Sequence, residues 1–172
     1  MIKDDSIPDQ PRLPAVEIIP FIPGHKEAIR TLNYEWLEKY FFIEPNDIIQ
    51  LSDPIGEIIE KGGHIYYARC NDEIIGTSSL MKINDDEYEL AKMAVTEKYK
   101  GIGAGRLLME HCISEATRLN AKKLTLYSNT KLEAAINLYR SYGFYEVPPS
   151  PDVHYIRSNI KMEKLLNGEN CI

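Results

Sequence analysis

Three glycines alternate with single residues in one short loop of the chain, in the order Gly101, Ile102, Gly103, Ala104 and Gly105. Glycine allows the backbone to approach an anion closely, because it has no Cβ atom. The apolar periodicity that follows predicts a helix, whose first N–H groups and positive dipole end would point toward the same place. The loop therefore predicts a phosphate-binding turn at the start of a helix.

Two common phosphate-binding loops do not fit this segment. A P-loop needs Gly-Lys-Ser/Thr at the start of its helix, whereas Gly105 is followed here by Arg106. A dinucleotide-binding loop needs GxGxxG directly after its strand and an acidic residue near the end of the next strand. Here the next predicted strand ends at Ser128 and Asn129, without an acid. Both classes of nucleotide-binding protein are therefore disfavoured.

Glu89 and Tyr139 are titratable side chains that also have ordinary structural interpretations. Glu89 lies near the start of a predicted strand beside the acidic turn 85–87, where an exposed acid is an equally good interpretation. Tyr139 lies on the apolar face of a predicted helix, where a core aromatic is the simpler interpretation. His154 and Tyr155 follow a Pro-rich loop, where we expect surface positions and a substrate contact stays open. The four histidines show no metal-ligand spacing such as HxxxH, so no metal site is predicted.

The pattern of apolar and turn residues predicts the elements that would hold these groups. We expect strands at 16–21, 63–70, 73–83, 88–95, 123–128, 143–147 and 155–165, and helices at 24–40, 45–61, 104–119 and 132–143. Asn71 and Asp72 predict a hairpin turn between the second and third strands. Pro54 interrupts the second helical stretch, and Gly143 suits the end of the last helix.

Length and composition indicate one domain of ordinary folded composition. The chain has 172 residues, and we place a single domain at 15–166 between flexible tails at 1–14 and 167–172. A net charge of -6 disfavours a broad nucleic-acid surface, which needs clustered basic residues. An odd number of cysteines and the lack of a secretory signal indicate a cytoplasmic protein, and no apolar run is long enough for a membrane helix.

Two segments resemble motifs of the GNAT acetyltransferase family. ELAKMAVTEKYKGIGAGRLL, at 89–108, resembles the family's acyl-CoA-binding motif, and AINLYRSYGF, at 135–144, resembles its next motif. The resemblance implies an α/β fold with one central mixed sheet, mostly antiparallel and splayed in the middle, flanked by helices. It also implies direct transfer of an acetyl group from acetyl-CoA to a primary amine in a ternary complex, without a metal.

The same resemblance assigns cofactor-binding residues. It implies that the backbone of Met93, Ala94 and Val95 binds the pantetheine arm, and that the Met93 N–H polarises the acetyl carbonyl. It implies that the pyrophosphate is held by the residues of the loop and its flanks: Lys100, Gly101, Ile102, Gly103, Ala104, Gly105 and Arg106. Leu132 stands where the family usually has an asparagine, so we assign the lost pantetheine contact to Asn129.

Catalytic roles follow from the resemblance as well. Tyr139 stands where the family commonly has a tyrosine that hydrogen-bonds the CoA sulfur and protonates the leaving thiolate. Glu89 stands where some members have a glutamate that acts as general base, and Glu38 and Glu44 are alternatives in the first helical region.

The acceptor cannot be derived from the motifs. The acidic chain favours a small amine or an amino-acid-like acceptor, and protein N-termini and lysines stay open. A non-catalytic acyl-CoA-binding or sensing module is the alternative function, and a nucleotide-binding interaction domain is a weaker one. A homodimer is compatible with the fold.

Overall fold

The computed structural model describes residues 12–151 and 155–166. These residues form a seven-stranded sheet with the strand order β1-β2-β3-β4-β5-β7-β6. The strands are β1 (Glu17–Pro20), β2 (His64–Cys70), β3 (Glu73–Asn84), β4 (Glu87–Val95), β5 (Lys123–Ser128), β6 (Tyr145–Val147) and β7 (Ile160–Leu165). The helices are α1 (Lys26–Tyr40), α2 (Pro45–Ser52), α3 (Ala104–Arg118) and α4 (Glu133–Ser141). Most of the predicted tails, and His154, lie outside the described residues.

The sheet is mixed and mostly antiparallel, which confirms the predicted fold class. Every pair of neighbouring strands runs antiparallel except β4 and β5. Those two strands are parallel, and they pair only over 87–89 and 123–125. Beyond this short contact they separate, so the sheet is splayed in its middle.

Helices cover both faces of the sheet because each has one apolar face. On one face, α3 buries Leu108 and Cys112, and α4 buries Ile136, in a cluster with residues of β2 to β5 and β7. On the other face, α1 buries Ile29 and α2 buries Leu51 in a second cluster with residues of β1 and β2. The first cluster includes residues of both splayed strands, and the second lies against β1 and β2.

Two local features follow from backbone chemistry. Asn71 and Asp72 both have positive φ angles, 49° and 62°, so they form the tight turn that the sequence predicts between β2 and β3. In β4, Ala91 lies opposite Ser79 while Ala94 lies opposite Thr77, so β4 has one extra residue at this point. Lys92 takes a φ of 52° in this β-bulge. A bulge of this kind redirects a side chain from one face of a strand to the other.

Two predicted boundaries were wrong. The last strand begins at Ile160 rather than at 155, and the segment 155–159 is not a strand. Glu44 accepts hydrogen bonds from the backbone N–H groups of Ile156 and Arg157, at 2.6 and 3.3 Å, so these groups are bound to the α2 region instead of to a neighbouring strand. Helix α2 ends at Ser52, before Pro54, and a short π-helical turn at Ile55–Ile59 replaces the rest of the predicted helix.

Candidate functional site

A cleft of about 490 Å³ opens where β4 and β5 separate. Glu89 and Thr125 form the last pair across these two strands, and the cleft begins beyond them. Its lining includes α4 residues from one face of the sheet and α1 and α2 residues from the other, so the cleft runs through the sheet at the fork. A long, narrow ligand could therefore reach from one face to the other along the edge of β4.

The backbone of β4 forms one wall of this cleft. Met93, Ala94 and Val95 all line it. On the other edge of β4, Ala94 and Val95 pair with Thr77 and Gly76 of β3. The edge that faces β5 has no pairing strand beyond Glu89 in the described residues, so its N–H and C=O groups face the cleft. The segment 93–95, which the sequence predicts to bind pantetheine, thus lies beside the gap that opens where β5 separates from β4.

The glycine loop continues from the end of the cleft marked by Lys100. Gly101 and Gly103 have φ angles of 83° and 87°, in the left-handed region that favours glycine. A Cβ atom added at either position would meet no atom within 4 Å. Gly103 is the residue before the first turn of α3, and no side chain caps that turn. The first N–H groups of α3 therefore face the open side of the loop, as an anion site requires.

The other residues of the loop and its flanks are of two kinds, apolar side chains that pack against the core and exposed positive charges. Ala104 is buried and Ile102 packs against the core, so they fix the loop while their backbone follows its path. Arg106 is exposed at the start of α3. Lys100 lies at the mouth of the cleft with its ammonium 3.5 Å from a carboxylate oxygen of Glu97. Both cations stand next to the predicted pyrophosphate position.

Tyr139 of α4 lines the cleft. Its ring packs edge-on against Phe144, with the ring centroids 6.1 Å apart. Among residues 12–151 and 155–166, no hydrogen bond joins its hydroxyl to another residue. Burial raises the pKa of Tyr139 to about 12, so the hydroxyl is protonated throughout the physiological range. The structure thus places a proton-bearing hydroxyl inside the cleft.

Glu89 also lines the cleft, at the fork itself. The two alternative carboxylates do not line it. Glu38 is exposed on α1. Glu44 is 3% exposed and binds Arg157 and the first turn of α2, where it forms a capping box with Asp47.

Asn129 lies at the end of β5 and lines the cleft, but its side chain is engaged within the protein. Its amide nitrogen donates to the carbonyl oxygen of Arg157 at 2.7 Å, and its side-chain oxygen accepts from the backbone N–H of Lys131 at 2.8 Å. This arrangement fixes the segment 155–159 against the end of β5. The predicted pantetheine contact of Asn129 stays a prediction.

Four charged side chains form a buried ion cluster at one end of the cleft, and the sequence prediction had named only Glu44 among them, as an alternative base. The buried ion cluster consists of Glu44, Asp47, Lys92 and Arg157. Arg157 binds Asp47 through two N–H groups, at 2.6 and 2.9 Å, and Glu44 through one, at 2.9 Å. Lys92 lies 3.2 Å from Asp47 and donates to the hydroxyl of Tyr155 at 2.7 Å.

Tyr155 corrects a sequence-based prediction. We expected a surface position, but the residue is 8% exposed and lines the cleft. Its hydroxyl donates to the side-chain oxygen of Gln50 at 2.7 Å, and the guanidinium of Arg157 lies 4.3 Å from its ring centroid. The aromatic residue is therefore held from both α2 and the bulge of β4.

Burial and charge act in opposite directions on the cluster. Burial alone would raise the pKa of Asp47, but the hydrogen bonds from Arg157 and the charge of Lys92 outweigh it and hold the pKa below its usual value. Burial lowers the pKa of Lys92, and its attraction to Asp47 only partly opposes this. Burial raises the pKa of the Tyr155 hydroxyl well above its usual range, so it stays protonated.

One sequence signal could have indicated this cluster. Lys92 interrupts the apolar run of β4, and a charged residue inside a buried strand is unusual unless a bulge redirects it or a partner neutralises it. No local pattern indicates that Asp47 and Arg157 meet, because they lie 110 positions apart in the chain.

Two further observations limit the chemistry of the described residues. No helix among them is long and apolar enough to cross a membrane. Within residues 12–151 and 155–166, no group of three or more His, Cys, Asp or Glu side chains could hold a metal ion.

Residues 26–144, more than half of the chain, match the model of the acetyltransferase (GNAT) family. The chain is 28% identical over 101 residues to the uncharacterized N-acetyltransferase YvbK of Bacillus subtilis, covering 57% of the chain and 65% of that protein. It is 41% identical over 61 residues to the ribosomal-protein alanine N-acetyltransferase of Escherichia coli, covering 36% of the chain and 41% of that protein. The chain thus spans less than two thirds of either relative.

A solved structure agrees with the architecture. A Salmonella typhimurium protein crystallised with its cofactor acetyl-CoA superimposes with a TM-score of 0.71 at 20% identity, covering 91% of the chain and 96% of that protein. At this identity the likeness concerns the fold. The arrangement of sheet and helices described above therefore belongs to a known fold.

Proposed function

The chain belongs to the acetyltransferase (GNAT) family, and on that premise we propose that it transfers the acetyl group of acetyl-CoA directly to a primary amine. One observation carries this proposal: the gap between β4 and β5, the glycine loop, the protonated hydroxyl of Tyr139 and the carboxylate of Glu89 all lie at one cleft. Tyr139 and Glu89 both line the cleft whose mouth continues into the glycine loop. Direct transfer requires these groups around a single reacting centre.

The donor would bind along β4. Its pyrophosphate would accept hydrogen bonds from the first N–H groups of α3 beside Gly103, with Lys100 and Arg106 nearby. Its pantetheine arm would pair with the β4 backbone from Met93 to Val95, on the edge that β5 leaves beyond Glu89. The Met93 N–H would then donate to the thioester carbonyl and stabilise the negative charge that develops there.

The transfer itself needs a neutral amine. Glu89 accepts a proton from the acceptor ammonium, directly or through water, and the amine nitrogen attacks the carbonyl carbon of the thioester. A tetrahedral intermediate forms with its oxyanion at the Met93 N–H. Glu89 passes its first proton to water. When the intermediate collapses, the carbon–sulfur bond breaks, the nitrogen gives its second proton to Glu89, directly or through water, and CoA leaves as a thiolate.

Tyr139 would act on the departing sulfur. With a pKa of about 12, its hydroxyl is a weaker acid than a thiol, whose pKa is ordinarily about 8.5. Complete proton transfer to the thiolate is therefore uphill, and a hydrogen bond that stabilises the thiolate is the better-supported role. This refines the general-acid role that the sequence motif implies.

The acceptor we propose is a small amine or an amino-acid-like molecule. The net charge of -6 does not favour an acidic polypeptide partner, and the cleft of about 490 Å³ has to admit the acetyl-pantetheine arm as well. A relative that acts on alanine of a ribosomal protein marks the main competing class of acceptor, a protein N-terminus.

Release of free thiol from acetyl-CoA tests the proposal across a panel of small amines, amino acids and peptides. We expect thiol release that depends on one class of amine, and acetylated product by mass spectrometry. Calorimetric titration with acetyl-CoA is the companion measurement. Binding of acetyl-CoA without turnover of any amine would favour the alternative, a non-catalytic acyl-CoA-binding module.

A further inference from the structure

The buried ion cluster has no role in the transfer described above, and stability alone does not explain it. Removing two carboxylates and two cations from water costs about as much as their mutual attraction returns, so such clusters seldom add net stability. What they do provide is a fixed geometry, because breaking any one contact leaves a buried charge without its partner. The function of the cluster therefore depends on which elements it holds in place.

Arg157 joins two elements that are distant in the chain. Three of its side-chain N–H contacts go to Glu44 and Asp47, and Glu44 also accepts the backbone N–H groups of Ile156 and Arg157. These five hydrogen bonds bind the segment 155–159 to the start of α2. The planar guanidinium suits this geometry, because it presents its donors as a rigid fork.

This contact between α2 and the segment 155–159 also forms a wall of the cleft. Asp47, Lys92, Tyr155 and Arg157 all line it. Trp36 of α1 completes this end, with the guanidinium of Arg157 5.7 Å from its ring. Because α2 and the segment 155–159 are in direct contact here, no chain can pass between them. This closed end lies on the α1 and α2 face, opposite to α4, where the donor thiol would lie beside Tyr139.

We propose that Arg157 is a specificity-determining residue that closes the acceptor end of the cleft and restricts the enzyme to amines on short carriers. The inference rests on the proposed acetyltransferase function. An acceptor must place its nitrogen near Glu89 and Met93 while the rest of the molecule fits between Trp36, Tyr155 and the fork. A short amine fits in this space, whereas a polypeptide would need to continue where Arg157 joins α2.

The test compares one amino group on two carriers. The panel amine with the highest kcat/KM is measured beside a pentapeptide that presents the same amino group, with the wild-type protein, Arg157→Gln and Arg157→Lys. Arg118→Gln is the matched control, because Arg118 forms an exposed ion pair with Glu115 on α3, away from the cleft. Acetyl-CoA affinity and circular dichroism accompany each variant.

We expect the wild-type protein to favour the small amine over the peptide by at least about tenfold in kcat/KM. Arg157→Gln should bring this ratio toward unity, mainly by raising kcat/KM for the peptide, with acetyl-CoA affinity changed by less than about twofold. The ratio for Arg157→Lys should lie between those of the wild type and Arg157→Gln, because lysine keeps the positive charge but lacks the planar set of N–H donors. Arg118→Gln should behave as the wild type.

Three results would overturn the proposal. The first is a wild-type protein that uses the peptide as well as the small amine. The second is a folded Arg157→Gln variant whose preference is unchanged. The third is failure of both Arg157 variants and of Glu44→Gln to fold, since the cluster would then serve folding rather than selection. Absence of turnover with every amine would instead refute the proposed function itself.

Discussion

Glu89 and Thr125 are the last residues to pair across β4 and β5, and the cleft opens immediately beyond them. The carboxylate of Glu89 therefore stands at the point where the sheet divides. A base at this point can reach an amine bound on the α1 side of the fork and a thioester that lies along β4. The first prediction concerns this carboxylate.

Glu89→Gln should lower the rate of amine acetylation by about 10²-fold near neutral pH, because the ammonium loses its base. The loss should shrink as the pH rises, since free amine then becomes plentiful without a base. A pH–rate profile measures this. Glu87→Gln is the control, because Glu87 lies two residues earlier on the same strand and does not line the cleft. A profile that coincides with that of the wild-type protein would assign the role to ordered water or to another group.

Tyr139→Phe should lower kcat by about tenfold while the Kd for acetyl-CoA hardly changes, because a lost hydrogen bond to the leaving sulfur corresponds to about 1.4 kcal/mol of barrier. Presteady-state and steady-state thiol release measure the effect. Tyr142→Phe is the control, because the Tyr142 hydroxyl bonds Glu110 on the surface at 2.6 Å. A wild-type kcat combined with a markedly lower Tm would make Tyr139 a structural residue.

Gly105→Ala should weaken acetyl-CoA binding by about tenfold and leave the protein as stable as the wild type. Gly105 is not in the left-handed region, and an added Cβ would lie 3.9 Å from Met93 and Val95, which is ordinary contact. The protein therefore tolerates the methyl group, whereas a pyrophosphate close to the backbone does not. Gly24→Ala is the control, since a Cβ there meets nothing within 4 Å. If calorimetry gives the Gly105→Ala variant and the wild-type protein the same acetyl-CoA affinity, the loop is not part of the binding site.

Asp47→Asn should destabilise the protein at pH 7 by about 3 kcal/mol, because Lys92 and Arg157 would lose a buried counter-charge. The pKa of Asp47 is lowered in the folded protein, so its contribution is present above its ordinary value of 3.8 and is lost as the pH falls through the lower folded value. Urea unfolding between pH 7 and pH 3 measures this. The variant should lack that acid-dependent component, and Asp86→Asn, in an exposed ion pair with Lys122, should retain it.

Thr77→Val should leave the free energy of unfolding unchanged or raise it by up to about 1 kcal/mol. Among the described residues, the Thr77 hydroxyl oxygen is buried without a hydrogen-bond partner, so its removal relieves a desolvation cost. Thr125→Val is the comparison, because the Thr125 hydroxyl donates to Glu87 at 2.5 Å and its loss should cost about 1–3 kcal/mol. Similar losses in both variants would mean that Thr77 has a partner, such as a bound water.

The elements could be predicted from the sequence where their signals are local. Strand β5 has the predicted bounds, Lys123–Ser128, because a run of β-forming residues lies between turn residues. The glycine loop and α3 were predicted for the same kind of reason, since helix periodicity and positive φ at glycine are properties of neighbouring residues. The order of strands and helices likewise matches the prediction.

The end of the cleft that holds the buried ion cluster could not be predicted in this way. Tyr155 and Arg157 were expected in a strand, and only their contacts with Glu44 and Gln50, more than 100 positions away, turn that segment toward the cleft. The charge pattern of the sequence does not reveal which carboxylate will meet which cation, because that depends on which surfaces the fold buries together.

The sequence by itself determined the order of the elements and the position of the glycine loop, which follow from periodicity and turn residues, and its resemblance to the acetyltransferase family implied the fold class and the roles of Tyr139 and Glu89. Only the tertiary structure decided that Lys92 and Arg157 both meet Asp47. The physical reason is that burial makes these interactions strong and specific. A buried charge has to find its partner wherever the folded chain places it, and the partner is seldom near in sequence.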